Sequence, residues 1–153
     1  MLIMHFFEDL FFFTSHWALH QPLLYKYHKT HHEYTTTVSV AGLYSHLVEF
    51  LIANSLPAGI YMKVASLYAP LHVSTAVIWL VLRFWDAYNG HCGYVFSWAP
   101  LQLLPFCAND DFHDFHHSHN SGNYGSQFRY LDTIFGTNKS FKNYKNSLKA
   151  KKQ

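Results

Sequence analysis

The sequence predicts an all-α fold, an integral membrane bundle of helices that carries a histidine-rich site. Half of the 153 residues are hydrophobic and 19% are aromatic, which exceeds the usage of an ordinary soluble domain. Apolar stretches of helical length alternate with clusters of histidines that stand three and four residues apart. On a helix, those spacings place side chains on one face. A soluble bundle with a very apolar core is the competing interpretation.

The first predicted helix runs from Leu2 to Leu19 and ends before Pro22, because proline commonly follows a helix terminus. Its only acids are Glu8 and Asp9. Acids inside an apolar helix usually face a functional interior, so either carboxylate is a candidate to orient a metal-binding imidazole. Solvation of the two acids at a membrane interface is the alternative.

Eight of the 13 histidines fall into three boxes, HWALH at 16–20, HKTHH at 28–32 and HDFHH at 113–117. We expect the second box to begin an amphipathic helix near the membrane surface. Neutral imidazoles crowded together without a metal would leave many polar nitrogens to satisfy, so the boxes predict metal binding. Isolated histidines such as His5 and His72 are instead expected to be packed or surface side chains with a satisfied hydrogen bond.

The stretch from 42 to 89 predicts a helical hairpin with an outgoing arm from Leu43 to Met62 and a return arm from Leu71 to Tyr88. Each arm would span about 27–30 Å, just enough for a bilayer core. We predict a break within the outgoing arm at 57–59 and a second break between the two arms at 63–70. A hairpin returns the chain to its starting side, so the third box and His91, in a glycine-flanked turn, come level with the first two boxes.

The number of imidazoles predicts two metal ions, because structural zinc closes at four ligands and catalytic zinc takes about three. Imidazole suits iron, copper, nickel and zinc alike, so the ligands alone do not identify the metal. The zinc-protease signature His-Glu-x-x-His is absent. The predicted ligands are His16, His20, His28, His31, His32, His91, His113, His116 and His117, with His46 as a candidate tenth. The predicted supporting carboxylates are Asp9, Glu49 and Asp86.

The charge is distributed unevenly, since six of the eleven Lys and Arg residues fall in the last fifteen positions and no acid follows Asp132. We therefore divide the chain into a membrane domain, 1–137, and a basic tail, 138–153, which we expect to be polar and loose. The positive-inside rule favours a cytosolic tail over nucleic-acid binding, because the remainder is nearly neutral and apolar. Cys92 and Cys107 form no CxxC motif, which is compatible with a reduced compartment.

These motifs together resemble the fatty acid hydroxylase superfamily, and most closely its sterol C4-methyl oxidase branch. The similarity rests on HWALH, HKTHHEY, YSHLVE, HCGYVFSW, HDFHH and NYGSQFRYLD, which extend over most of the chain. The resemblance implies two iron ions, dioxygen, and electrons from NAD(P)H through cytochrome b5 or its reductase, at the endoplasmic reticulum membrane with the metal site facing the cytosol. Family members carry a further transmembrane portion before the first box, which we expect this chain to lack.

The leading functional hypothesis is a non-haem di-iron membrane oxygenase that oxidises a lipid, with the C4-methyl group of a sterol as the expected substrate. One alternative is another lipid hydroxylase or desaturase of the superfamily. A second is a catalytically idle, truncated membrane homologue, and a third is a zinc-dependent hydrolase, which would need a water-activating carboxylate. Lys149 and Lys151 stand five and three places from the carboxyl end, as in the dilysine retrieval signal of the endoplasmic reticulum.

Overall fold

The computed structural model describes residues 2–68, 70–96, 98, 103–104, 106–108 and 110–151. Within these ranges the chain is helical, and the extended pairing consists of an isolated bridge between Cys107 and Phe128. The α-helices are α1 (Leu2–Leu19), α2 (Tyr25–His28), α3 (Leu47–Glu49), α4 (Leu56–Tyr68), α5 (Val73–Gly90), α6 (Asp110–His119), α7 (Tyr130–Phe135) and α8 (Lys139–Ala150). The apolar, proline-broken stretch 98–106 predicts a half-immersed connection or a substrate-lining wall, and it lies largely outside the described residues.

Three long helices pack against one another and form the body of the protein. They are α1, the helix that runs from Leu47 to Tyr68 and includes α3 and α4, and α5. Arg83 of α5 links all three, because it pairs with Glu8 of α1 and donates a hydrogen bond from Nη2 to Asn54, 3.0 Å away. Farther along, the ring of Tyr61 in α4 lies 5.5 Å from that of the fully buried Trp79 in α5. These contacts confirm that α5 folds back along the preceding helix, as a hairpin requires.

The outgoing arm is longer than predicted, because α3, a π-helical segment (Phe50–Ser55) and α4 form one continuous helix from Leu47 to Tyr68. The predicted break at Pro57 is therefore wrong. Proline has no backbone N–H to donate, and its ring clashes with the carbonyl oxygen four residues earlier. The π-helical segment directly before Pro57 has a different hydrogen-bond pattern, so it accommodates the proline and the helix continues.

One helix in the described part of the chain, Leu47–Tyr68, is long and apolar enough to cross a membrane by length and composition. The predicted return arm is observed as α5, whose 18 residues include Arg83, Asp86 and Asn89 in the second half. Those polar residues lower its hydropathy, and of the two predicted arms only the outgoing one is long and apolar enough to cross a membrane within the described residues.

We expected the basic tail to be loose, but it folds into helix α8. Its apolar residues stand three and four positions apart, and Phe141 and Tyr144 lie 5.3 and 5.2 Å from the ring of Phe115 in α6. The lysines occupy the remaining surface of α8. Because we gave weight to the charge and not to the aromatic spacing, we missed a helix that packs behind the third box.

We expected the second histidine box to form or to start an amphipathic helix, but its first histidine ends the short helix α2 and a 3-10 turn (His31–Glu33) carries the other two. This turn lies beside the end of α1, the beginning of α3 and the end of α5, since the hairpin reverses the direction of the chain. Helix α6 supplies the third box to the same region. All candidate metal ligands but His46 meet there.

Candidate metal centre

Nine of the ten candidate ligands converge in two groups of buried or half-buried imidazoles. In each group, the candidate ligand nitrogens lie within 4.8 Å of one another. The five-histidine group consists of His16, His20, His28, His32 and His116. The four-histidine group consists of His31, His91, His113 and His117. The number and size of the groups fit the two ions that the sequence predicts, whereas metal ligation itself remains a prediction.

The HxxHH spacing explains how the two groups share their ligands. The outer histidines of the second box, His28 and His32, stand four residues apart and join the five-histidine group, whereas His31 turns to the four-histidine group. The third box does the reverse, since the pair at 113 and 117 joins the four-histidine group and His116 joins the other. The second and third boxes therefore each contribute to both groups and hold them side by side, whereas both histidines of the first box join the five-histidine group.

The Nε2 atoms of the five-histidine group face one another at short distances. His28 Nε2 lies 3.1 Å from His16 Nε2 and 3.0 Å from His32 Nε2. His116 Nε2 lies 3.2 Å from His20 Nε2 and 3.1 Å from His32 Nε2. The five rings thus surround a common centre.

The four-histidine group has the same arrangement. His91 Nε2 lies 2.9 Å from His113 Nε2 and 3.3 Å from His31 Nε2. His117 Nε2 is buried and has no hydrogen-bond partner among the described residues. A buried imidazole nitrogen without a partner is costly, and coordination to a metal would satisfy it.

Backbone carbonyls face the opposite nitrogen, Nδ1, in several of these rings. His16 Nδ1 lies 2.8 Å from Tyr124 O, and His91 Nδ1 lies 2.7 Å from Ala87 O. The same contact joins His31 to Tyr44 O, His116 to Gly122 O and His117 to Tyr34 O. A carbonyl can only accept, so each Nδ1 carries the proton and each Nε2 presents a lone pair.

Lone pairs facing one another at about 3 Å repel each other unless a cation lies between them. Imidazoles whose outer N–H donates to a carbonyl are the arrangement that metal sites use to fix ring orientation. For His28 the side chain of Glu49 takes the place of a carbonyl, because Oε1 of Glu49 lies 2.8 Å from Nδ1 of His28. The donor set therefore fits two metal ions with nitrogen ligands.

The imidazoles are neutral at pH 7, as metal ligands must be. Burial lowers the pKa of His31 to about 4 and the pKa values of His32 and His91 to about 3. Neighbouring histidines reinforce the effect for His32 and His91, since a proton on one ring opposes a proton on the next.

We predict that the metal-free protein loses stability as the pH falls below 6.5, the ordinary pKa of these histidines. Below that pH the unfolded chain takes up protons that the folded chain refuses, so acid favours unfolding by about 1.4 kcal/mol per pH unit for each ring. Thermal unfolding in detergent between pH 7.5 and 5 measures this effect. A melting temperature that stays constant over the range would contradict the burial of neutral rings.

His46, the candidate tenth ligand, is not part of either group. Its ring is exposed and caps the helix that begins at Leu47, because Nδ1 accepts a hydrogen bond from the N–H of Val48, 3.1 Å away. Its position three residues before Glu49 suggested a shared helix face. The helix begins only after His46, so that argument does not apply.

Of the three predicted supporting carboxylates, Glu49 alone lies within hydrogen-bonding distance of a candidate ligand in the described contacts. Asp9 is buried, but its Oδ1 accepts hydrogen bonds from the backbone N–H groups of Ser126, Gln127 and Phe128. It orders a loop, and its support of a candidate metal ligand stays a prediction. Asp86 lines the cavity beside both histidine groups.

The backbone carbonyls that orient the rings could not be predicted from the sequence, since a carbonyl has no sequence signature of its own. The glycines near the boxes offer a partial signal. Gly42 is the one that approaches a ring nitrogen of a candidate ligand, because a Cβ atom there would lie 3.1 Å from both Ala87 O and His91 Nδ1. These are the two atoms of the hydrogen bond that orients His91.

Gly42→Ala is therefore expected to lower the metal content of the four-histidine group while leaving the five-histidine group loaded. The added methyl group must push apart a backbone carbonyl and a candidate ligand. Loss of the partner of a metal-bound imidazole typically costs about 10–100-fold in metal affinity. Metal titration of the purified variant measures the change, with Gly59→Ala as the control, because a Cβ atom at Gly59 meets no atom within 4 Å. Equal affinities for the two variants would contradict the assignment.

A cavity of about 60 Å³ opens between α1, α3, the π-helical segment and α5 and reaches both histidine groups. Its wall includes His16 and His28 from one group and His31, His91 and His113 from the other. Phe12, Leu19 and Ala53 supply apolar surface, whereas Glu8, Glu49, Arg83 and Asp86 add charge. A small organic molecule in this cavity would lie against the candidate metal ligands.

Two groups of imidazoles on a helical scaffold, held by two reciprocal HxxHH boxes, define a histidine-box metal-binding protein. The chain belongs to the fatty acid hydroxylase family, because the family model matches residues 1–137. The resemblance predicted from the histidine motifs is confirmed.

The chain is 40% identical over 131 residues to the C-4 methylsterol oxidase of Candida albicans, covering 85% of this chain and 42% of that protein. It is 37% identical over 146 residues to methylsterol monooxygenase 2-2 of Arabidopsis thaliana. It has the same identity to the very-long-chain aldehyde decarbonylase GL1-11 of Oryza sativa subsp. indica. Each of these two alignments covers 90% of this chain and 52% of the relative, so the chain spans about half the length of its relatives. No solved structure matches the chain.

Proposed function

We propose that the chain is the metal-binding part of a di-iron oxygenase that oxidises a membrane lipid, with the C4-methyl group of a sterol as substrate. The observation that carries the proposal is the convergence of nine imidazoles into two groups beside one cavity. The relatives named methylsterol monooxygenase and C-4 methylsterol oxidase support the reaction and the substrate class.

Each part of the site has a defined task in this proposal. The five-histidine and four-histidine groups would each hold one iron ion, which supplies the oxygen-dependent oxidation that no side chain can perform alone. The carbonyls at Nδ1 keep the rings oriented, burial keeps them neutral, and Glu49 supports His28. The apolar part of the cavity wall holds the lipid and excludes water from the reacting carbon.

A membrane setting is supported by the large apolar side chains that the three long helices leave exposed. Examples are Phe7, Leu10, Leu51, Leu56, Val77 and Val81. A surface of this kind is stable against lipid and unfavourable in water. A lipid substrate would reach the cavity from the bilayer.

The remaining parts of the proposal concern location, partners and domain organisation. We propose the endoplasmic reticulum membrane, with the histidine groups and the basic tail, 138–153, on the cytosolic side and residues 1–137 as the membrane domain. Lysine-rich segments favour the cytosolic side, and Lys149 and Lys151 match a retrieval signal. Electrons would come from NAD(P)H through cytochrome b5 or its reductase, as the family resemblance implies.

A second candidate is a reaction on another lipid, which the aldehyde decarbonylase relatives favour. A third is a membrane protein that binds metal without turnover, because the chain spans about half the length of its relatives. The same purified protein tests all three.

The test is metal analysis followed by turnover of the detergent-purified protein with oxygen and an electron donor. We expect about two iron ions per chain and oxidation of a 4-methyl sterol at the methyl carbon. Oxygen-dependent conversion of a very-long-chain aldehyde instead would favour the second candidate. Two irons without a product from any sterol, aldehyde or acyl lipid would favour the third, and binding of zinc in place of iron would refute the oxygenase proposal.

A further inference from the structure

We propose that a basic groove on the surface behind the third histidine box binds the headgroup of an anionic phospholipid. The groove lies between α6 and α8 and has a volume of about 410 Å³. Its cationic side chains are Arg129, Lys142, Lys145 and Lys149. None of them belongs to either histidine group, so the inference goes beyond the proposed oxygenase and needs only its membrane setting.

The spacing of the three lysines along α8 explains why they line the groove. They stand three and four residues apart, which places them on one face of the helix. Each of them directly follows an apolar residue, which is Phe141, Tyr144 or Leu148. Phe141 and Tyr144 pack against the ring of Phe115 in α6. The lysine face therefore adjoins the packed face and borders the junction of the two helices.

The groove has a positive charge that its own acid does not neutralise. Asp111 is the one acid that the described residues contribute to the wall, and it forms an ion pair with Lys145. The ion pairs among the described residues do not include Arg129, Lys142 or Lys149, and α8 contains no acid that could pair with them. Cations held around one concave surface repel one another until an anion lies among them.

A phosphate group is the anion that these side chains suit. Its oxygens accept charge-assisted hydrogen bonds from the guanidinium group of an arginine and from the ammonium group of a lysine. The volume of the groove is well above the roughly 30 Å³ that one water molecule occupies in the liquid. It therefore has room for a phosphate and part of the alcohol that the phosphate carries.

Exposed apolar residues beside the groove favour a membrane lipid as the source of that phosphate. The backbone N–H of Arg129 donates to the carbonyl oxygen of Phe106, 3.0 Å away, and the side chain of Phe106 is 63% exposed. Helix α7, which begins next to Arg129, also leaves Ile134 and Phe135 exposed. Aromatic and aliphatic side chains beside a cluster of Lys and Arg are typical of a surface that contacts anionic headgroups. A soluble anion would leave these side chains in water.

The test counts the lipids that the detergent-purified chain retains, by native mass spectrometry. The protein is offered equal amounts of phosphatidylinositol and phosphatidylcholine with the same acyl chains, so that the two probes differ in the headgroup and its charge. We expect the wild-type protein to retain phosphatidylinositol about tenfold more than phosphatidylcholine, because each Lys or Arg near anionic headgroups contributes a factor of about five. Equal retention of the two lipids would overturn the proposal.

Two double variants with the same change in charge test the groove itself. Lys142→Gln/Lys149→Gln removes two cations of the groove, and we expect it to retain about tenfold less phosphatidylinositol. Lys139→Gln/Lys151→Gln removes two exposed lysines of the same tail that do not line the groove, and it should keep the wild-type preference. An equal loss in both variants would overturn the site, because the overall charge of the tail would then account for the binding. Melting temperatures measured in parallel show whether α8 remains folded in each variant.

Soluble competitors separate a lipid from the other anions that a basic groove could bind. Inorganic phosphate and glycerophosphoinositol, the headgroup without its acyl chains, are added at the concentration of the lipid. We expect neither to displace phosphatidylinositol, because the apolar part of the lipid also contributes to binding. Displacement by inorganic phosphate would assign the groove to a soluble anion and overturn the lipid proposal.

An acidic protein is the remaining alternative. If the wild-type chain showed no lipid preference, and if Lys142→Gln/Lys149→Gln weakened binding of cytochrome b5 while the control double variant did not, the groove would be a protein-binding site and the lipid proposal would be wrong. The measurements need neither iron nor turnover. Their failure would therefore leave the oxygenase proposal intact, and an inactive chain that retains phosphatidylinositol selectively would leave the groove assignment intact.

Discussion

His116→Ala is expected to lower the iron content from about two ions to about one per chain and to reduce oxygen-dependent turnover at least about 100-fold. His116 is completely buried, and its Nε2 contacts two other rings of the five-histidine group, at His20 and His32. Its Nδ1 also donates to Gly122 O, so the substitution removes both a ligand and an anchor of the following loop.

A matched pair of variants tests whether the two groups bind metal separately. His113→Ala should remove the ion of the four-histidine group and leave the five-histidine group loaded. His119→Ala serves as the control, because His119 is exposed beyond the third box and stacks on Phe115. Metal analysis of the three proteins gives the answer. Two full irons in His116→Ala would show that the five-histidine group is not a metal site.

The spacing of the histidines predicts only part of the division of the rings between the two groups. The spacing of four residues predicts that His28 and His32 share a face, and they do meet in one group. The same rule also places His31 with His28, three residues earlier, and His116 with His113, but the structure puts the rings of each pair in different groups. The 3-10 turn and α6 approach each other there, so each segment contributes a ring to the group of the other. That approach depends on tertiary packing.

Isolated histidines were harder to predict than the boxes. His5 was expected to have a satisfied hydrogen bond, yet it is buried and neither ring nitrogen has a partner among the described residues. His72 follows the expectation, since it caps α5 and its Nδ1 contacts the hydroxyl of Ser74 at 2.7 Å. Whether a lone polar side chain finds a partner depends on contacts that are distant in sequence.

The ends of a helix can be predicted where nearby residues determine them, but not where they depend on packing against a distant part of the chain. Helix α1 has the predicted bounds, because an apolar run followed by proline fixes both ends locally. The helix that ends at Tyr68 continues past Lys63 because nothing in that stretch forbids helical dihedrals. Helix α8 depends on aromatic residues that pack against α6, a contact invisible in the charge pattern.

The second large effect is expected at Asp132, a residue in the family motif to which the sequence analysis assigned no role. Its side chain is completely buried, and its two oxygens accept hydrogen bonds from the N–H groups of Tyr124 and Gly125, at 2.9 and 2.7 Å. Asp132→Ala leaves both donors buried without a partner. We expect a loss of about 2–5 kcal/mol in the free energy of unfolding, a large part of the stability of a small domain.

This loss of stability should also weaken the metal site, because the loop that Asp132 holds carries the carbonyl of Tyr124 that orients His16. We therefore expect Asp132→Ala to release iron from the five-histidine group before the four-histidine group. Asp111→Ala is the matched control, since Asp111 forms a partly exposed ion pair with Lys145 and such pairs contribute about 1 kcal/mol or less.

Thermal unfolding in detergent, followed together with iron release, separates the two effects of Asp132. Asp132→Asn retains one acceptor oxygen, so its melting temperature and iron retention should lie between those of the wild-type protein and Asp132→Ala. If Asp132→Ala unfolds at the temperature of Asp111→Ala and retains both irons, the loop does not depend on this carboxylate. The orientation of His16 must then come from the packing of α1 alone, and the link between the buried carboxylate and the metal site would be refuted.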